Sequence, residues 1–397
     1  MFSAERLMYQ SQFELIFKRS SPYHWRRSDL HQNNKVPIKM SLSSSTAQLS
    51  AATQRSTFGA WRVVDRFGLD QLRYQEVERG ALRAGEARVK ITHSALNYRD
   101  LMMVEGQYNP RQPLPLIPCS DGVGVITEVS EGSTLEVGQR VIPLFSQGWA
   151  SGEPSQRITQ TTLGGPLAGT LSEEGVFHER GLVPAPSYLS DPEASTLGCA
   201  ALTAWSALIE LGQLKPGAHV LCIGTGGVSL FAAQIAALTG ARITLTSRSE
   251  EKLDAALNHP ALTPFAHAIT PHCIAGEERW GRVIRSRFGE VDHVVEVGGA
   301  GTLDQSLSAT RPGGTISLIG VLAGGASKVN LTPVLMRQIK IQGVIVGHRE
   351  GMLRMLKAFT VAQVRPLIAQ HFELAQAVEA FTYLREARHI GKIVLNH

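Results

Sequence analysis

Gly224, Gly226 and Gly227 form a GTGG turn inside the run HVLCIGTGGVSLFAAQIAALTGARITLTSR, which extends from His219 to Arg248. An apolar stretch, 219–223, precedes the turn. After it, a segment apolar on nearly all sides begins at Val228 and stops at Gly240, where a helix C-terminus favours glycine. Residues 242–246 then read as a second strand. Strand, glycine turn and helix start in that order offer free backbone N–H groups and a helix N-terminus to a pyrophosphate. Isolated glycine strings are common, and an ordinary tight turn in a βαβ unit is the alternative; the strand–turn–helix–strand context points to a dinucleotide. The third glycine position of the usual pattern holds Ser229, small enough to permit close helix–strand packing.

The end of the second strand selects the nucleotide. A site for NAD places an Asp or Glu about 20 residues beyond the glycines, against the ribose 2′-hydroxyl. This chain has Ser247 and Arg248 there, with Lys252 one helical turn further on. No carboxylate repels a 2′-phosphate and two cations can hold one, which points to NADPH rather than NADH. Glu250 and Glu251 lie between the cations, so a solvated helix start is the alternative for them. Cys119, Cys199, Cys222 and Cys273 are scattered without a CxxC pair, and the 13 histidines show no metal spacing. A reducing, cytoplasm-like compartment fits that usage.

These residues need a sheet to position them. From Asp191 onward strands at 219–223, 243–246, 293–296 and 315–320 alternate with helices, which implies a doubly wound parallel sheet. The helix that opens this half begins with Asp191-Pro192-Glu193, with Asp191 as N-cap. A strand at 339–346, a helix at 349–360 and a closing strand near 391–395 follow. Residues 59–184 read differently, as short strands (61–64, 87–94, 122–129, 140–143) between Gly/Pro turns, with one short helix at 98–105. A Gly-, Ser-, Thr- and Pro-rich insertion at 146–170 reads as a covering loop. The expected division is a disordered extension at 1–56, a β-rich domain at 57–185, a nucleotide domain at 186–335 and a return segment at 336–397.

The net charge of +5 is confined to the extension, where residues 1–56 carry eight Lys/Arg and three Asp/Glu. The remainder is neutral, which argues against a nucleic-acid partner. No apolar run is long enough for a membrane span. For the extension three alternatives stand: a start at Met40 with a short polar tail, a mitochondrial transit segment, or a plain disordered tail.

Several spaced motifs, ALNYRD at 95–100, PCSDGVGVITEVSEG at 118–132, CAALTAWSAL at 199–208, VVEVGGAGTL at 294–303, RPGGTISLIG at 311–320 and GKIVL at 391–395, occur here in order. Together with the glycine turn they resemble the medium-chain dehydrogenase/reductase superfamily over roughly 58–397. The resemblance implies an α/β fold, a Rossmann doubly wound parallel sheet plus a β-rich GroES-like catalytic domain, with the active site in the cleft between them. Zinc-dependent members hold a catalytic metal with Cys, His and Cys; those positions fall here on Asn97, Ser120 and Cys199, and the 146–170 loop lacks the cysteines of a structural zinc. Asn and Ser do not replace imidazole and thiolate, so no zinc is expected.

The similarity is then to the zinc-free branch of quinone oxidoreductases and 2-enoyl thioester reductases, in which hydride reaches an enone or quinone. Hydrogen-bond donors must then stabilise the developing enolate or hydroquinone oxygen and deliver a proton. By that resemblance Tyr108, Tyr98 and Asn97 are the candidates: Tyr108 as proton donor or as a turn residue, Asn97 as an orienting amide or a local turn bond. Thr203 is placed by the helix facing the nicotinamide, Gly298 and Gly320 end strands at the cofactor edge of the sheet, and Lys392 is expected to reach the phosphates. The candidate functions are an NADPH-dependent reductase of a small carbonyl or quinone, an NAD(P)-dependent alcohol dehydrogenase, and an NADPH-binding protein with little turnover. A homodimer through the strands at 315–320 and 339–346 is also expected.

Overall fold

The computed structural model describes residues 56–326 and 328–397. All but the last residue of the extension expected at 1–56 lies outside them. Two strands, β1 (Thr57–Val63) and β2 (Leu72–Glu78), pair antiparallel at the start. They lead into β3 (Glu86–Leu96), helix α1 (Tyr98–Val104), β4 (Asp121–Val129), β5 (Arg140–Pro143), β6 (Glu174–His178) and β7 (Leu182–Pro184). Alternate residues of β3 and β4 point inward, and Val89, Ile91 and Ile126 meet Val141, Phe177 and Leu182 in one apolar cluster.

The nucleotide half begins with β8 (His219–Ile223), helix α2 (Gly227–Leu238) and β9 (Arg242–Ser247). It continues through β10 (Ile269–Cys273), β11 (Val291–Glu296), β12 (Thr310–Leu318) and β13 (Lys340–Gly343). The six strands form one parallel sheet in the order β10-β9-β8-β11-β12-β13. Every residue of β8 is buried because helices cover both faces. Val220 and Cys222 face a core that includes Phe231 and Phe359, whose rings stack at 6.2 Å. Leu221 and Ile223 face Trp280, Ile284 and Leu307 on the opposite side. The order reverses between β8 and β11, so ligands should meet the sheet at the carboxyl ends of those two strands.

Finally β14 (Ile368–Glu373) and β15 (Lys392–Asn396) rejoin the first sheet, giving the order β14-β15-β3-β4-β5-β7. The expected boundary at 335/336 therefore needs correction. β13 still belongs to the nucleotide sheet, and the return begins only at β14, after helix α3 (Arg349–Ala362). β10 was not foreseen, because Pro271 argues against a strand; at the sheet edge its missing N–H costs no ladder bond. Asp191 is the first helical residue rather than the cap, a place taken by Ser190. Among the described residues no helix is long and apolar enough to cross a membrane.

His293, on β11, is 2% exposed and bonds through Nε2 to Ser317 Oγ at 2.9 Å. Burial holds its pKa down at about 4, so the folded chain keeps it neutral where the unfolded chain would take up a proton. Stability present above the usual histidine value of about 6.5 is therefore lost as pH falls toward about 4, by about 3 kcal/mol at the limit. Urea midpoints at about pH 7.5 and about pH 4.5 check this, and His293→Gln is expected to reduce the difference.

Candidate active site

The glycine turn closes as expected. Gly224 has φ +79°, which favours glycine, and its N–H donates to Thr246 O at 2.8 Å. Gly226 caps α2 in an extended conformation, and a Cβ added there would meet nothing within 4 Å. Ser229 is buried and its Oγ donates to Ile223 O at 2.6 Å, so the third glycine position joins helix to strand through a hydroxyl. Half-buried Val228 begins the second helical position. On the β11 side, Gly298 N and Gly299 N donate to Glu296 Oε1 at 2.8 and 3.0 Å, and Thr302 Oγ1 does so at 2.6 Å. Ser306 Oγ donates to Glu296 Oε2. The fully buried Glu296 thus shapes the turn after β11, a role its place inside an apolar VVEV run did not signal. A Cβ on Gly320 would lie 2.2 Å from Val297 O, so β12 ends tightly against the same turn.

Beyond β9, Ser247 is buried with its Oγ accepting from Ser249 N at 3.2 Å, while Arg248 is exposed. Lys252 Nζ donates to Ala387 O, and both burial and Arg248 lower its pKa. Arg248 and Lys252 thus feel each other's charge. Lys252 also lines a cavity of about 290 Å³ with Arg388, His389 and His259. Thr203, 4% exposed, turns its hydroxyl back to Cys199 O at 2.7 Å. It follows a π-helical turn, Leu197–Ala201.

The first sheet brings Asn97, Ser120, Asp121 and Lys392 together. Asn97 precedes α1, where its N–H donates to Asp100 Oδ2 at 2.8 Å. Ser120 Oγ donates to Asp100 Oδ1 at 2.8 Å, so this fully buried carboxylate is structural. Asn97 Nδ2 donates to Asp121 Oδ2 at 2.9 Å. Lys392 Nζ donates to Asn97 Oδ1 at 2.6 Å, Leu96 O at 2.8 Å and Asp121 Oδ2 at 3.3 Å. Both ends of the Asn97 amide thus have partners within the protein, Asp121 and Lys392. The Lys392 ammonium thus ends on Leu96, Asn97 and Asp121, while its stem passes Gly227 of the glycine turn. Burial pushes Asp121 up to about 6, with Lys392 and Asn97 opposing that rise, and also raises Asp100. Asp121 Oδ1 has no hydrogen-bond partner among the described residues.

Tyr98 opens α1 and Tyr108 follows it; both are substantially exposed, at 39% and 46%. The Tyr108 ring lies 4.9 Å from the guanidinium of Arg99, which is equally close to Phe145 on its other contact. Arg99 donates to Leu163 O and Gly165 O at 2.9 and 2.5 Å, anchoring the 146–170 loop. Sequence reasoning passed over Arg99, although a cation beside a catalytic tyrosine candidate was the available signal.

The positions that need Cys, His and Cys for a catalytic zinc do not fit one. The Ser120 hydroxyl donates to Asp100 and the Asn97 oxygen accepts from an ammonium, so neither position presents the imidazole or thiolate of a tetrahedral site. No group of three His, Cys, Asp or Glu that could hold a metal occurs among the described residues.

A model of the alcohol dehydrogenase GroES-like domain matches residues 83–187, and one of zinc-binding dehydrogenases matches residues 227–360. A zinc-type alcohol dehydrogenase-like protein of Schizosaccharomyces pombe is 37% identical over 338 residues, covering 83% of this chain and 96% of its own. Acryloyl-coenzyme A reductase of Metallosphaera sedula is 28% identical over 336 residues, covering 81% of this chain and 95% of its own. The crystal structure of an NAD-dependent alcohol dehydrogenase, 28% identical, superposes with a TM-score of 0.76 over 85% of this chain and 99% of that one. With the glycine turn and the two sheets in place, these matches show that the chain belongs to the medium-chain dehydrogenase/reductase superfamily of NAD(P)-dependent oxidoreductases.

Proposed function

We propose that this oxidoreductase works without zinc and uses NADPH to reduce a small activated carbonyl compound, an enone or a quinone. The observation that carries this reading is the Lys392 ammonium bonded to Asn97 and Asp121, where a metal-dependent enzyme needs open ligands. When bound, the dinucleotide supplies a hydride, which adds to the electrophilic carbon of the substrate and leaves an oxyanion. Around it the chain supplies donors: the Tyr108 phenol, steadied by Arg99, gives the proton that completes the reduced product, and Tyr98, at the start of the helix that Tyr108 follows, is a second phenol. Glu296 holds the turn beside the cofactor. Arg248 and Lys252 favour a 2′-phosphate. The acryloyl-coenzyme A reductase relative supports a conjugated substrate. An alcohol dehydrogenase is the second reading, favoured by the names of the other relatives.

The exposed edge strand β13, with Leu335 and Met336 at 77% and 74% exposure beside it, supports a homodimer. Four free cysteines support a reducing compartment.

The test is NADPH oxidation by chelator-treated protein with a panel of alkenals, enoyl thioesters and quinones, repeated with NADH and with alcohols plus NADP⁺. Turnover is expected with a conjugated carbonyl, and Tyr108→Phe is expected to lower kcat by about 100-fold. Activity that vanishes on metal removal and returns with zinc would favour the second reading. Unchanged kcat in the Tyr108 variant would remove it as proton donor.

A further inference from the structure

We propose that Lys392 is the resident cation of the active-site floor, its ammonium standing in for a metal ion as the positive centre on which Asn97 and Asp121 converge. The proposal deepens the zinc-free reading above. Lys392 is 3% exposed and its three N–H bonds are all used, on Leu96 O, Asn97 Oδ1 and Asp121 Oδ2. A buried ammonium is stable only when its charge is matched, and the fully buried Asp121 matches it. Turning Nζ outward to a phosphate would break all three bonds and leave Asp121 buried without its cation.

The position of the ammonium is set from the nucleotide side. Gly391 N donates to Thr225 O at 2.8 Å, which locks β15 to the glycine turn one residue before Lys392. The lysine stem passes so near α2 that a Cβ added at Gly227 would stand 2.7 Å from Lys392 Cδ. Gly227 therefore makes room for a side chain of its own protein. One end of Lys392 rests on the cofactor helix and the other fixes Asn97, at the head of the helix that leads to Tyr98 and Tyr108. Lys392 is thus a positioning residue that carries the charge of the site.

The experiment replaces Lys392 with Ala and adds small amines to the vacated site. In Lys392→Ala, kcat is expected to fall by about 100-fold while the NADPH dissociation constant changes by less than about threefold. Ethylammonium at millimolar concentration is expected to restore kcat by about tenfold with saturation; tetramethylammonium at equal ionic strength, having no N–H to donate, is expected to restore none. Lys392→Ala/Asp121→Asn, which removes both charges, is expected to recover part of the thermal midpoint lost in the single variant; this arm decides the matter if the single variant does not fold. A large loss of NADPH affinity with kcat intact would make Lys392 a phosphate ligand and overturn the proposal. So would a folded single variant that no amine restores, or a double variant as unstable as the single one. Zinc-dependent activity of the wild type would instead defeat the zinc-free reading, whatever the amines do.

Discussion

Alanine at Gly226 is expected to weaken dinucleotide binding by about 10- to 100-fold while leaving the unliganded protein folded. The backbone there, φ −79° and ψ 173°, suits any L-residue, and an added Cβ meets no protein atom within 4 Å. Loss of glycine at a helix N-cap costs under about 1 kcal/mol, so the thermal midpoint should move by only about 2–4 °C. On the proposed reading the open space is where a pyrophosphate approaches the N–H groups of α2, and a methyl group there holds it off. Fluorescence titration with NADPH, paired with a melting curve, separates the two effects. A drop in midpoint without a drop in affinity would mean that the glycine serves the fold.

The second large effect lies at Glu296. Replacing it with alanine leaves Gly298 N, Gly299 N and the Thr302 and Ser306 hydroxyls without their acceptor in a fully buried site. Each unsatisfied buried donor costs about 1–3 kcal/mol, partly recovered by relaxation, so a loss of about 4 kcal/mol is expected. Glu296→Gln keeps one oxygen for the three donors on Oε1 and lets Ser306 reverse its bond, limiting the loss to about 2 kcal/mol. Urea unfolding of both variants gives the ranking. Equal stabilities near the wild-type value would show that the turn after β11 is held by its own backbone.

The nucleotide half was legible because its signals are local. β8, the glycine turn and α2 occupy consecutive residues, and complete burial makes such strands continuously apolar. β10 escaped notice because Pro271 is tolerable only at an edge, and edge position is a property of the finished sheet. The floor of the candidate site was half legible. The types at 97, 120 and 199 already spoke against zinc, but the Lys392–Asn97–Asp121 bonds join residues far apart in the chain, and no periodicity reports them. Glu296 ends the strand expected at 293–296, but its acceptor role is set by donors that lie beyond that strand. Arg99 was hidden for the same reason: its acceptors, Leu163 O and Gly165 O, belong to a loop with no pattern of its own.

The late arrival of β15 also constrains how the molecule folds. Leu96, at the end of β3, pairs with Ile393, and the lysine beside that residue reaches back 296 positions to the Leu96 carbonyl oxygen. Until the intervening nucleotide half has collapsed and brought its ends together, β3 keeps part of one hydrogen-bonding edge unsatisfied. Closure over so long a separation is entropically costly and slow. Refolding should therefore pass through a species with a formed parallel sheet and an open β-rich half, prone to associate through that edge, and the floor of the candidate site should be the last part of the protein to appear.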